Sequence, residues 1–464
     1  MSWREVAALL GKLLLLFCLA LLPSIVMAIH YREWGAFVAL CETAAIGGAC
    51  GLVPLLLGRK ATGNDLFRRE TLLVVAASWI IAAAIGALAF QLSGMSPSFT
   101  DEFFGSMSGI ATTGSTILTD IEAPPKSLLF WRQTLHFVGA LGIVVLFVAI
   151  LGGQGGGSSG KSLSRAEVPG LFKEADRPRI RDSALGVAKV YLGLNIVLAV
   201  LLVAAGMPLL DAIANAMATI ATGGISPNGK SSYGYGNPAA EWIIIVFMLL
   251  AGTNFALHLG LLRGKVLCHK DMEFLGYLGV TVGGALVAAL LMWSFGVGAP
   301  ADPAEIPYVS DAGGFNIRDT LFMVFSIGTS TGFGSVDYDG WPEGVKLFLL
   351  LLMVSGVCAG STSGGLRLIR WMVVSRYLPQ LVGRQARPRE VRQLKLGKRP
   401  ITPEQVDEIV LVDLPPQDLL QRLREGKVYV GAQATLAREG EQRTVTLHRL
   451  NRRLAAVRGV QPII

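Results

Sequence analysis

The sequence predicts an all-α integral membrane protein made of repeated helix, re-entrant segment, helix units, and three observations predict it. The composition is 52% hydrophobic and only 16% charged. Long apolar runs almost free of charge recur along the chain, and one polar motif returns three times in the same register. At 464 residues and a mean hydropathy of +0.53, the chain is too apolar for a soluble enzyme of its length.

The apolar runs cover residues 13–29, 35–57, 71–90, 137–151, 187–207, 242–262, 274–295 and 347–358. Most are long enough to cross about 30 Å of hydrocarbon as helices. The 137–151 run reaches that length only if it starts near Leu128, which carries Arg132 and His136 into the outer part of the helix. The first two runs form an extra helix pair over 1–60. A cleaved leader is the alternative for the first run, because Arg4 and Lys12 precede an apolar stretch that ends in small residues. A first repeat then occupies 61–165, a second 166–270 and a third 271–385, followed by a cytoplasmic linker and tail over 386–464.

The net charge of +8 does not point to nucleic acid, because Lys and Arg gather in alternate loops. Arg59, Lys60, Arg68 and Arg69 mark one loop, Lys161 to Arg181 a second, and Arg263, Lys265 and Lys270 a third. Cation-rich loops stay on the cytoplasmic side. With eight spans, both termini are then cytoplasmic in a multi-pass protein of the lipid bilayer.

The recurring motif is DEFFGSMSGIATTGST, DAIANAMATIATGGIS and DTLFMVFSIGTSTGFG. Asp101, Asp211 and Asp319 each stand 13 positions ahead of Gly114, Gly224 and Gly332, and successive glycines lie 110 and 108 apart. Such a period marks a repeat architecture. Each stretch between Asp and glycine allows about three helical turns, too few to cross a bilayer, so it dips in and returns. The Asp occupies the expected N-cap, and the C-terminal end aims its partial negative charge at the membrane interior, where it favours a cation. Backbone carbonyls of the residues that follow would replace a cation's hydration shell. Those residues are Thr112, Thr113 and Gly114, then Ala221, Thr222, Gly223 and Gly224, then Thr329, Ser330, Thr331 and Gly332. Small-residue clusters also serve close helix packing, but three in one register point to an ion filter.

On these residues the chain resembles the Trk/Ktr/HKT potassium transporter family, specifically its Trk-type membrane subunit, over about 1–405. SGIATTGSTILTDIE, FWRQTLHFVGALGIVVLFVAIL, SRAEVPG, ATIATGGIS, STSTGFGSVDYDGWP and CAGSTSGGLRLIRW follow the family's order. The resemblance implies four repeats around one potassium path, preceded by two extra helices. It also implies an intramembrane gate where the second helix of the third repeat breaks. Gly356, Gly360, Gly364 and Gly365 with Ser361, Thr362 and Ser363 disfavour a continuous helix there. Arg370 matches the family's cation just beyond this loop, and the resemblance implies that it belongs to the gate, holding the loop or setting an electrostatic barrier; Arg367 and Arg370 can also be read as cations snorkelling to the interface. The resemblance further implies uptake of potassium across a bacterial plasma (inner) membrane, by symporter or channel, with no cofactor and with potassium as substrate. A homodimer and a cytosolic nucleotide-binding regulatory subunit are the partners it implies.

From Val374 onward no run is apolar for long enough to span, so the fourth repeat has no counterpart in this sequence. DEIVLVDLPPQDLLQRLREGKVYV, 407–430, instead resembles a stretch of the osmosensitive potassium-sensor histidine kinases. IVLVDL reads as a short buried strand and PPQDLLQRLREG as an amphipathic helix ending at Gly426. Two functions from different classes stay open: potassium uptake, and a non-conducting potassium-responsive regulatory membrane protein.

Other motifs carry less. GGGSSGKS, 155–162, fits a phosphate-binding loop in letters, but follows a membrane helix instead of a parallel strand. Cys18, Cys41, Cys50, Cys268 and Cys358 show no paired spacing and read as packing residues. His30, His136, His258, His269 and His448 form no metal or catalytic constellation, and the chain does not read as an enzyme. Asp337 and Asp339 either draw cations to the outer mouth or are solvated loop acids.

Overall fold

The computed structural model describes residues 3–59, 68–96, 98–118, 120–153, 177–264, 271–294, 317–336, 338–386, 394–396, 399–401, 433–438 and 441–446. They form two compact units, 1–369 and 370–464.

The first unit opens with α1 (Trp3–Leu19), α2 (Leu22–His30) and α3 (Trp34–Leu57). Helices α1 and α2 meet at Ala20–Leu21, where Pro23 sits in the first turn of α2 and fits because that turn's N–H groups have no helical acceptor. Helix α3 returns against α1 so closely that a side chain on Gly11 would run into the Gly51 carbonyl, the small-residue contact that draws membrane helices together.

Three units of one pattern follow. The first is α4 (Arg68–Leu92), α5 (Phe99–Ile110) and α6 (Lys126–Gly153). The second is α7 (Arg177–Ala204), α8 (Leu209–Ile220), α9 (Pro238–Ala251) and α10 (Phe255–Leu262). The third is α11 (Met272–Ser294), α12 (Ile317–Gly328), α13 (Glu343–Ser355) and the start of α14 (Leu368–Ala386). Among the described residues, five helical segments are long and apolar enough to cross a membrane, and six if the bent α9 and α10 pair counts as one. Leu286, Leu290 and Trp293 of α11 and Leu347, Leu350 and Leu351 of α13 are exposed. An apolar face turned outward suits hydrocarbon, not water.

Two apolar clusters hold the unit. One joins the extra helices to the first repeat, with Trp131 fully buried, edge-on to Phe17 at 5.7 Å between centroids, its indole N–H donating to Gly86 O at 3.1 Å. The other joins repeats two and three around Ile220, Met248, Phe255 and Phe322. Between α2 and α3, the Glu33 carboxylate accepts the Lys126 and Ser127 amide N–H at 2.9 and 3.0 Å. It thereby caps α6 from a distant part of the chain.

Two expectations change. The 242–262 run is not one helix: it breaks after Ala251, and α10 leaves α9 at 97°. Asn254 makes the break possible by accepting the Ala256 N–H at 2.9 Å, so that α10 starts with its own cap. The three aspartates are also not N-caps. Helices α5, α8 and α12 begin two residues earlier, and Asp101, Asp211 and Asp319 stand third in their helices. That place keeps their favourable interaction with the helix dipole and their shared register.

The second unit holds α14 from Arg370 onward and two antiparallel hairpins, which sequence patterning did not anticipate. Strand β1 (Leu394–Leu396) pairs with β2 (Arg399–Ile401), and β3 (Gln433–Arg438) with β4 (Glu441–Thr446). The strand and helix expected over 409–426 lie outside the described residues, as do the 155–162 loop, SRAEVPG, Cys268, His269, Asp337 and His448.

Candidate functional site

Helices α5, α8 and α12 are each 12 residues long, about 18 Å at 1.5 Å per residue. All three end in one way. The Thr113 N–H donates to Ser108 O at 2.9 Å and the Thr112 N–H to Gly109 O at 3.0 Å. In α8 the bonds are Gly223 to Ala218 O at 2.8 Å and Thr222 to Thr219 O at 3.1 Å; in α12, Thr331 to Ser326 O at 2.8 Å and Ser330 to Ile327 O at 3.0 Å. This is the Schellman termination, which needs a left-handed residue just past the helix. That residue is Thr112 (φ 52°), Thr222 (φ 52°) and Ser330 (φ 55°). Glycine usually stands there, and threonine or serine in this conformation stores strain, which concentrates at functional sites.

Two residues on, Gly114, Gly224 and Gly332 are left-handed again, with φ of +80°, +69° and +88°. The chain therefore turns twice within three residues, and its carbonyls leave the helix direction. A side chain on Gly114 would collide with the Gly223 carbonyl oxygen. One on Gly224 would collide with the Thr331 carbonyl oxygen and stand 2.9 and 3.0 Å from Gly332 C and Cα. The residue before the second and before the third glycine thus lays its carbonyl against the glycine of the preceding repeat. At Gly332 the nearest atom is Gly224 Cα, 4.0 Å away.

Residues that sequence reasoning missed hold these turns. Ser108 Oγ donates to Ser115 O at 2.8 Å and Ser326 Oγ to Phe333 O at 2.7 Å, each fixing the carbonyl just past the glycine. The repeat register would have found them, since both stand six positions ahead of that glycine; Ala218 takes the place in repeat two. The loops that follow the three half-helices are tied in the same order. Gly229 N–H donates to Glu122 Oε1 at 3.2 Å and Gly334 N–H to Ser231 Oγ at 3.1 Å. Tyr235, in the loop after α8, accepts from Asn215 Nδ2 at 3.2 Å. Burial pushes its phenol up to about 12, so it stays neutral. Asp339 lies in the loop after α12, where its backbone carbonyl accepts from Lys346 Nζ at 3.1 Å.

The third repeat's second helix breaks, as its sequence requires, between Ser355 and Leu368. Gly356, Gly360 and Gly365 all have positive φ, 68°, 80° and 81°, while Ser361, Thr362 and Ser363 are buried. Thr362 Oγ1 donates to Ile220 O, the last carbonyl of α8, at 2.9 Å, and the Gly364 N–H to Ser330 Oγ at 2.9 Å. The loop therefore hangs directly from the C-terminal ends of α8 and α12. The break between α9 and α10 meets it from the side. Cys358 N–H donates to Gly252 O at 3.3 Å and Phe255 N–H to Gly360 O at 3.2 Å. Each break supplies the partners that the other's freed backbone needs inside a membrane.

Two charged groups complete the loop. Glu273 Oε1 accepts the buried Ala359 N–H at 2.6 Å. Arg367 Nη1 donates to Ser363 O at 2.9 Å and reaches Cys358 O and Ser361 Oγ, both at 3.4 Å. A guanidinium on loop carbonyls is not a snorkelling cation. Glu273 gave no signal in sequence, being an acid in the first turn of a membrane helix. Arg370 lies in the first turn of α14 and opens the second unit.

Half-helices that converge on left-handed glycines inside a bundle of apolar spans, over a broken-helix loop, define a polytopic membrane protein with a narrow backbone-lined centre. Comparison with known proteins makes this particular. The TrkH family, described as cation transport protein, matches residues 49–275 and 303–411. The chain is 35% identical over 415 residues to the Trk system potassium uptake protein TrkH of Escherichia coli strain K12, covering 88% of this chain and 82% of that protein. It is 30% identical over 406 residues to TrkG of the same organism, covering 86% and 80%. The crystal structure of the potassium transporter TrkH from Vibrio parahaemolyticus superposes with a TM-score of 0.77 at 30% identity, over 93% of this chain and 87% of that one. The chain belongs to the TrkH cation transport protein family. Residues 401–460 also match the osmosensitive K+ channel His kinase sensor domain, a longer stretch than the 407–430 that carried the resemblance.

Proposed function

We propose that the chain takes up potassium across the bacterial plasma (inner) membrane, through a filter formed by Thr112–Gly114, Ala221–Gly224 and Thr329–Gly332 and gated by 356–365. The observation that carries this is the stacking of the Gly223 and Thr331 carbonyls against Gly114 and Gly224. Carbonyls so arranged offer a dehydrated cation the oxygen shell it gives up on entering. Three half-helix C-termini aimed at the same place add negative potential. The relatives' names, potassium uptake proteins, support potassium as the cargo. On this reading the ion moves down its electrochemical gradient, and the 356–365 loop closes the path until it withdraws from Ile220 and Ser330. Both termini are cytoplasmic, in keeping with the cation-rich loops. The protein works as a homodimer beside a cytosolic nucleotide-binding regulatory subunit, as family resemblance implies.

Rubidium uptake in transporter-deficient cells tests the reading, with Gly114→Ser and Gly332→Ser as controls. Uptake above vector that both substitutions reduce supports it; correctly inserted protein with no uptake sinks it. A second reading, a non-conducting potassium-responsive regulator, is favoured by one observation, the sensor-domain match over 401–460. It predicts potassium binding without flux.

A further inference from the structure

Just ahead of the filter glycine, repeats one and three carry a threonine, Thr113 and Thr331, whereas repeat two carries Gly223. Backbone conformation does not demand that glycine, since Gly223 is absent from the positive-φ residues. Space does. A Cβ on Gly223 would stand 2.6 Å from Nδ1, 2.7 Å from Cε1 and 2.8 Å from Cγ of His136, far inside van der Waals contact. His136 comes from α6 of the neighbouring repeat and is fully buried.

On its other side, Gly223 lays its carbonyl oxygen against Gly114. The second filter segment is therefore held between an imidazole and the first filter glycine. In repeat three the corresponding residue supports itself: Thr331 is buried and its hydroxyl lies 2.7 Å from Thr329 Oγ1. In repeat two a side chain from another helix takes that space. Neither ring nitrogen of His136 has a hydrogen-bond partner among the described residues. A buried polar ring without partners carries a free-energy cost, so what the fold gains from it here is its volume.

We propose that His136 is the positioning residue of the second filter segment, its ring volume setting how far the Gly223 carbonyl stands toward Gly114 and thereby the filter's preference among alkali cations. The proposal rests on the transport reading of the filter. It also explains the sequence asymmetry of threonine, glycine, threonine, because ring and β-carbon exclude one another.

The test compares the full-length chain with His136→Ala, His136→Leu, His136→Phe, Gly223→Thr and the double variant His136→Ala/Gly223→Thr. Each is purified in detergent, its folding is followed by thermal unfolding, and potassium and sodium affinities are measured by calorimetry. Rubidium flux is measured in liposomes. His136→Phe keeps the ring volume without the unpaired nitrogens, and should hold the potassium-to-sodium affinity ratio within about threefold while folding at least as stably. His136→Leu should lower the ratio and His136→Ala lower it further, by about tenfold, because the cavity lets the segment relax. Gly223→Thr alone should lose about a hundredfold in potassium affinity. The double variant should recover at least tenfold of that, a coupling that only groups in contact produce. An unchanged ratio in His136→Ala or His136→Leu, or a double variant no better than the product of the single effects, overturns the proposal. If the parent binds potassium without flux, the transport reading fails while the affinity ratios still judge His136. If it binds no potassium, both fall.

Discussion

Replacing each filter glycine by alanine, one at a time, separates backbone strain from crowding, because the three sites share the first and differ in the second. At φ of +80°, +69° and +88°, an alanine in any of them costs about 1–2 kcal/mol of left-handed strain, a factor of about 5–30. At Gly332 the added carbon meets nothing nearer than Gly224 Cα at 4.0 Å, so strain is the whole effect. At Gly224 the carbon must displace the Thr331 carbonyl and stands 2.9 Å from Gly332 C. Backbone cannot swing aside as a side chain can, and overpacking of this kind adds about 1–3 kcal/mol. The sum, about 2–5 kcal/mol, corresponds to about 30-fold or more, since about 1.4 kcal/mol is tenfold. Gly114→Ala should match Gly224→Ala, because its new carbon meets the Gly223 carbonyl. The assay is the concentration of rubidium at half-maximal uptake in liposomes of known orientation. Equal losses at Gly332 and Gly224 would refute the crowding argument, and no loss at any of the three would remove these segments from the ion path.

Ser108→Ala and Ser326→Ala each remove one bond, of 2.8 and 2.7 Å, to the carbonyl just past Gly114 or Gly332. About 1 kcal/mol apiece should weaken half-saturation by about fivefold, and rubidium titration reads it. Thr362→Val frees the gate loop from Ile220 O; maximal uptake should rise, by up to about fivefold for a bond of about 1 kcal/mol, and an unchanged rate would show that this bond does not hold the gate. Arg367→Ala removes the guanidinium from the Ser363 and Cys358 carbonyls. Buried Cys358 should then react faster with a small thiol reagent, by about tenfold or more as the loop opens, in a background where the other four cysteines are replaced by serine.

Much of the architecture was legible in the letters. The register of Asp101, Asp211 and Asp319 with Gly114, Gly224 and Gly332 gave three short helices and their ends, because a helix terminus is decided by residues within one turn of it. The glycine cluster at 356–365 foretold the broken helix on the same ground. Capping was misplaced by three residues, since the aspartate's attraction to a helix N-terminus is felt across the whole first turn and does not single out one position.

The letters also held AGTN, 251–254, a break that an apolar average over 242–262 conceals. Only the folded chain shows why the break stands there: Gly252 O and the Phe255 N–H find their partners on Cys358 and Gly360, a hundred positions along the sequence. Glu33 on α6, Glu273 on Ala359, Arg367 on Ser363 and His136 against Gly223 are of the same kind. Sequence by itself determined the bilayer, the repeat and the turns at the three glycines, because hydropathy and helix propensity act over a few residues. Tertiary structure decided which distant groups fix those turns, because a buried hydrogen bond or a filled space depends on where another helix lies.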